Sequence, residues 1–362
     1  MVNLNTLTPL WDRYVDIEHG IILAVAELFN DPERLEQWTA YPLLAEVELR
    51  AELDKIVARH WNKTARLDLK EAFESTAKTT LESDERTYRL ALDRGALTKE
   101  PMPIAESLTL QRILEGGFLA TERALATAGT IARASTIARL NQAVLAVAGG
   151  EATIDQAIKA AAQELADEGI AGFIYPGSRS HIGLPEYVRR ELVTGVMNTT
   201  RAMSWERAAE WGSDLIQISS HAGARPGCFP YQGRVFSLSG EHEKYPSLKD
   251  TTYGEPAGIF GINCRHYSWP WFEGLNDEYT EAEKDPAKSA LGLDNDELYE
   301  LSQEQRYNER QIRRWKRRAE FAEGIDLDSS KARAKVKEWQ KRQRDFLKAT
   351  GLFNRDYRRE AA

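Results

Sequence analysis

Apolar residues recur at three- and four-residue intervals through most of the first 170 positions. Ile21, Ile22, Val25, Leu28 and Phe29 fall on one helical face, because 3.6 residues per turn bring such spacings into register. Asp31-Pro32 marks a fresh start. Asp31 has the short acceptor side chain of an N-cap, and proline suits the first turn, where its missing N–H costs nothing. Leu43, Leu44, Val47, Leu49, Leu53, Ile56 and Val57 carry an amphipathic helix to about residue 61, and residues 64–92 predict a polar one. Lys99-Glu100-Pro101-Met102-Pro103 breaks the pattern. Positions 105–148, rich in Ala, Leu and Ile, predict helix again, interrupted at Gly116-Gly117 and Gly129 and closed by Gly149-Gly150. One more helix over 153–168 ends at Gly169.

The period changes at Gly172. Phe173-Ile174-Tyr175 predicts a strand, Pro176-Gly177-Ser178 a turn, and residues 179–182 a return strand. A long helix follows over 185–212, then strands over 214–220 and 234–238, set in Gly- and Pro-rich loops that run to about residue 274. Residues 278–288 predict a polar linker. A charged helix over 294–323 places Ile312, Trp315, Ala319 and Ala322 on one face. Asp328-Ser329-Ser330 offers the cap of a last helix with Val336, Trp339, Phe346 and Leu347 on its apolar side. The expected fold is therefore mainly α with a small α+β domain. It comprises a helical region at 1–170, a loop-rich α+β domain at 171–276, and a linker with basic C-terminal helices at 277–362.

Composition sharpens this picture at one point. The 362 residues are 42% hydrophobic and 29% charged, ordinary for a globular chain with a real core. The net charge of −8 argues against a protein that coats DNA uniformly. Residues 301–362, however, hold 18 Lys and Arg against 10 Asp and Glu, a net of +8 that leaves −16 on residues 1–300. Arg313, Arg314, Lys316, Arg317 and Arg318 form the densest basic run and are the candidate nucleic-acid contacts. An acidic protein surface, or pairing with Glu three or four residues away, are the other fates of that charge. Trp315 and Trp339 are expected as helix-packing anchors. Two cysteines fit a reducing cytoplasm. No leader peptide and no apolar run long enough to span a bilayer is visible, so no membrane partner is expected.

Two segments concentrate the unusual residues. One is Ser219-Ser220-His221-Ala222-Gly223-Ala224-Arg225-Pro226-Gly227-Cys228, continuing to Tyr231-Gln232-Gly233-Arg234. The other is Tyr253-Gly254-Glu255-Pro256 with Gly258-Ile259-Phe260-Gly261-Ile262-Asn263-Cys264-Arg265-His266. Such loops are held by side chains instead of regular structure, and His221, Arg225, Gln232, Asn263, Arg265 and His266 are the candidate structural polar network. A sharper alternative is zinc on His221, Cys228, Cys264 and His266, which gives a Cys₂His₂ count. The spacings, six residues between the first pair and one between the second, match no common zinc pattern. No other cofactor is expected. The nucleophile-elbow, P-loop, zincin and dinucleotide motifs are all missing, so no catalytic residue is assigned and no enzyme is expected. The alternative keeps His221, Arg225, Cys264 and His266 as the site of a nuclease or ADP-ribosyltransferase-like effector.

The stretch from Tyr187 to Arg190, these two segments extended to SSHAGARPGCFPYQGRVFSLSG and YGEPAGIFGINCRH, and the run Tyr307-Asn308-Glu309-Arg310-Gln311-Ile312-Arg313 together resemble the phage minor capsid protein 2 family. That family is similar to the MuF-type head morphogenesis proteins. The motifs cover roughly residues 188–319. The N-terminal helices agree only in length and helical character. The resemblance implies a virion component of a tailed-phage head, assembled in the host cytoplasm and present in few copies. Its implied partners are the portal protein and other head proteins, with packaged or ejecting double-stranded DNA as a further contact. It carries no established chemistry onto the motif residues. The acidic helical region at 1–170 is then the expected docking module.

Overall fold

A computed structural model describes residues 4–98, 107–153, 156–157, 160–161, 164–165, 169–174 and 181–360. Its helices are α1 (Thr8–Asn30), α2 (Pro32–Ala40), α3 (Pro42–His60), α4 (Lys63–Asp93), α5 (Leu108–Ala148), α6 (Leu184–Glu210), α7 (Glu281–Lys284), α8 (Pro286–Leu291), α9 (Asn295–Gly324) and α10 (Ser330–Thr350). The strands are β1 (Ala171–Ile174), β2 (His181–Gly183), β3 (Leu215–Ile218), β4 (Val235–Ser237) and β5 (Ser268–Pro270). The protein is mainly α with a small α+β part, as the patterning predicts. The break at 99–103, the turn at 176–178 and most of the helix expected over 153–168 lie outside the described residues. Among those described, no helix is long and apolar enough to cross a membrane.

Local chemistry accounts for the element boundaries. The Asp31 carboxylate accepts the N–H groups of Glu33 and Arg34 at 3.0 and 3.2 Å, the N-cap expected for α2. The α10 cap differs. Ser329 makes no side-chain cap bond, and Asp328 accepts instead from the Ser330 N–H and hydroxyl. The segment expected as a polar linker folds into α7 and α8. Thr280 and Glu283 close a capping box on α7, and Gly292, at φ 69°, ends α8. The glycines of α5 do not interrupt it. A Cβ on Gly117 would fall 1.9 Å from Thr199 Oγ1, and one on Gly195 would fall 2.1 Å from Thr121 Oγ1. Reciprocal Gly–Thr contacts thus let α5 and α6 approach more closely than any larger residue permits.

The chain forms two units, each assembled from three separated stretches. One comprises Met1–Thr8, Leu67–Arg123 and Arg190–Ser302. The other comprises Pro9–Arg66, Ala124–Arg189 and Gln303–Ala362. The consecutive regions 1–170, 171–276 and 277–362 are a division of another kind, made along the chain.

The first unit holds a three-stranded antiparallel sheet in the order β4-β3-β5. The central strand β3 is buried at all four positions. The pattern does not announce β5: Ser268-Trp269-Pro270 is three residues long, and its proline is tolerated only because the strand lies at the sheet edge. Ile216, Ile218, Phe236, Leu248, Ile259 and Phe260 form the core beneath the loops, together with both cysteines. Beside it Tyr88 stacks on Trp211 at 4.2 Å, and Ser204 donates to the buried Asp84 carboxylate at 2.5 Å.

The second unit is built around α1, whose Leu10, Tyr14, Ile17, Ile21 and Val25 are fully buried. The Tyr14 hydroxyl donates to the Leu125 carbonyl of α5 at 2.8 Å. Glu18, also buried, accepts the Ile170 N–H at 3.0 Å and lies 3.5 Å from Arg317 of α9. The β1–β2 hairpin pairs antiparallel in this unit, with Ile174 opposite His181.

Candidate functional site

Sheet register brings the two motif segments together. Past the end of β3, the Ser219 N–H donates to the Tyr267 carbonyl at 2.9 Å, and the Tyr267 N–H returns to Ser219 Oγ at 3.1 Å. This clamp sets His221, just beyond β3, beside His266, just before β5. Their rings stack with centroids 4.4 Å apart.

Gln232 is the hub between them. It is 1% exposed, held by the short 3-10 turn Phe229–Tyr231. Its side-chain oxygen accepts the His221 N–H at 3.1 Å and lies 3.0 Å from His266 Nε2. Its NH₂ donates to the Lys284 carbonyl at 2.8 Å. An amide with its nitrogen committed to a carbonyl must face His266 with its oxygen. His266 therefore carries its proton on Nε2, and the bare Nδ1 lone pair points to Cys264 Sγ, 3.4 Å away.

Arg225 ties the first loop to the second. Its guanidinium donates to the carbonyls of Gly258 at 2.9 Å and Ile262 at 3.3 Å, and lies 3.6 Å from Cys228 Sγ. The Cys228 and Cys264 sulfurs are 3.9 Å apart; both are free thiols and buried. The Phe260 N–H donates to Cys264 Sγ at 3.3 Å from a backbone at φ 59°, a conformation rare for a residue with a ring. Glycine makes these approaches possible. A Cβ on Gly258 would strike the Thr252 carbonyl at 1.9 Å, and one on Gly261 the Glu255 carbonyl at 2.5 Å.

The electrostatics follow from this packing. The hydrogen bond between the sulfurs lowers the Cys264 pKa, and the same bond with burial raises that of Cys228. Burial, and then the neighbouring His266, pushes His221 down to about 4, so its imidazole is neutral.

The structure therefore joins His221, Arg225, Gln232 and His266 of the expected network. Asn263 enters through its backbone, its N–H donating to Thr194 Oγ1 at 2.9 Å, and the Arg265 side chain is exposed. Of the four expected metal ligands, Cys228, Cys264 and His266 place their ligand atoms within 4.8 Å of one another, and His221 is not part of that cluster. The basic run is divided. Arg313 pairs with Glu186 and Arg317 with Glu18, both arginines being buried, while Arg314, Lys316 and Arg318 are half-buried, Arg318 over the Trp315 ring at 4.4 Å. Helical spacing alone cannot reveal Glu18 and Glu186 as partners, because both are far away in sequence. Sequence reasoning also missed the Phe260 N–H and the glycine approaches. The glycine density of the second segment was the available signal.

The chain is similar to known phage proteins. The chain is 28% identical to a "Structural protein" of Lactococcus phage LL-H over 231 residues, 61% of this chain and 60% of that relative. It is 34% identical to a "Structural protein" of Lactococcus phage mv4 over 121 residues, 32% of this chain and 91% of that relative. No solved structure matches. The model of the family described as Phage minor capsid protein 2 matches residues 5–348, so the chain belongs to that family of phage structural proteins.

Proposed function

We propose that the chain is a portal-associated minor component of a tailed-phage head and that it docks through the start of α3. The observation that carries this reading is an apolar strip left in solvent. Tyr41, Leu43, Leu44 and Val47 are 67%, 81%, 53% and 62% exposed. Single exposed apolar residues are ordinary, but four within seven positions form a partner-facing surface. Family membership and the relatives' names support a particle as the setting, which makes the portal or a neighbouring head protein the occupant. The role is architectural. In the motif loops the Cys264 and His266 side chains are buried, and Arg225 is spent on backbone carbonyls. The test is a phage carrying Leu43→Ser, Leu44→Ser and Val47→Ser. Its heads should lack the protein while the free chain stays folded; normal incorporation refutes the docking surface.

A second role, contact with packaged DNA, rests on α10. That helix carries eight Lys and Arg against two acidic residues, and Lys331, Lys337, Lys341, Arg344 and Lys348 are exposed. Contact with roughly five phosphates gives a log–log salt slope of about −4 to −5 on duplex DNA. Replacing Lys337, Lys341, Arg344 and Lys348 with Gln should flatten the slope and weaken all sequences alike. An unchanged slope in filter binding refutes it.

A further inference from the structure

We propose that Cys228, Cys264 and His266 bind one zinc ion, with the fourth coordination position left to a water molecule. The geometry is the first argument. Zinc bonds of about 2.3 Å to sulfur and 2.0–2.1 Å to nitrogen imply tetrahedral edges of about 3.8 Å between two sulfurs and 3.5–3.6 Å between sulfur and nitrogen. The corresponding distances in the protein are 3.9 Å between the cysteine sulfurs and 3.4 Å from Cys264 Sγ to His266 Nδ1. Two of the three edges already match those of a zinc tetrahedron, and all three ligand atoms lie within 4.8 Å of one another.

The surroundings of the ligands are the second argument. A zinc-bound imidazole donates its other N–H to a fixed acceptor, which sets the tautomer and aims the ring. Gln232 does this for His266, and its own orientation is fixed by the Lys284 carbonyl. A zinc-bound thiolate accepts N–H donors to spread its charge. Cys264 has the Phe260 N–H, and Cys228 has the Arg225 guanidinium at 3.6 Å. Two thiolates and a neutral imidazole also cancel the ion's charge, so a buried site gains no net charge from it. Binding releases the thiol protons to solvent. The His221 ring lies alongside His266, its Nδ1 3.2 Å from the Ala222 carbonyl, and completes the wall of the site without entering the ligand set.

The experiment is elemental analysis of the full chain, expressed in zinc-supplemented medium and purified without chelator. About one zinc per chain is expected. Cys228→Ser, Cys264→Ser and His266→Leu should each lose it, and His221→Gln should keep it. If His221→Gln, still folded, also loses the zinc, the three-ligand assignment is overturned. Because ligand variants can fail to fold, the wild-type chain is also stripped and titrated with cobalt(II). One equivalent should saturate the visible bands of a tetrahedral site together with a thiolate charge-transfer band. A reduced chain that retains no zinc and develops no such bands overturns the proposal.

Discussion

Gln232→Leu tests whether the site is held by its hydrogen-bond hub or by its apolar core. Leucine nearly conserves the volume, so no cavity is created and the loss is polar. Three partners are stranded. The His266 Nε2–H is fully buried and loses its only described acceptor, which costs about 1–3 kcal/mol. The His221 N–H and the Lys284 carbonyl belong to half-buried residues that water can reach, so each loss costs about 0.5–1.5 kcal/mol. The expected destabilisation is about 2–6 kcal/mol. It is measured by urea denaturation of the full chain under tryptophan fluorescence, with chelator present so that bound metal does not contribute. The double variant Gln232→Leu/His266→Leu should cost less than the sum of the two single ones by at least about 0.5 kcal/mol, because the groups share one bond. A Gln232→Leu cost below about 1 kcal/mol, or strict additivity, refutes the hub.

Asp84 is 3% exposed, and burial pushes its pKa up to about 7 against the Ser204 hydrogen bond that lowers it. The folded state holds that proton more tightly than the unfolded one. The stabilisation is therefore complete below the ordinary carboxyl value of 3.8 and is lost as pH rises through about 7. Asp84→Asn should gain on the wild type between about pH 4 and 7, by up to about 4 kcal/mol for three pKa units; parallel pH profiles would exclude this. Arg317→Leu leaves the Glu18 carboxylate buried beside an apolar side chain and should destabilise the chain by about 3–5 kcal/mol, with Glu18→Leu/Arg317→Leu recovering much of the loss. The same variant should leave the DNA salt slope unchanged, and a flattened slope would return Arg317 to the nucleic-acid face.

Periodicity along the chain determined most of the helices, because an amphipathic stripe is a local property. Asp31-Pro32 and the apolar face of α9 are legible for that reason. The density of Gly, His, Cys and Arg in two segments likewise marked the site before its geometry was known. Tertiary structure decided what depends on partners distant in sequence. Gly117 read as an interruption until Thr199 stood against it. Arg313 and Arg317 read as a solvent-facing basic run, since their carboxylates come from Glu186 and Glu18. The edge strand β5 is three residues with a proline and exists only because β3 is there to pair with it. The tautomer of His266 follows from Gln232, 34 positions earlier, and from a carbonyl at Lys284. Spacing along a chain carries the period of a helix, but only the fold brings the two sulfurs and one ring nitrogen of Cys228, Cys264 and His266 within reach of a single ion.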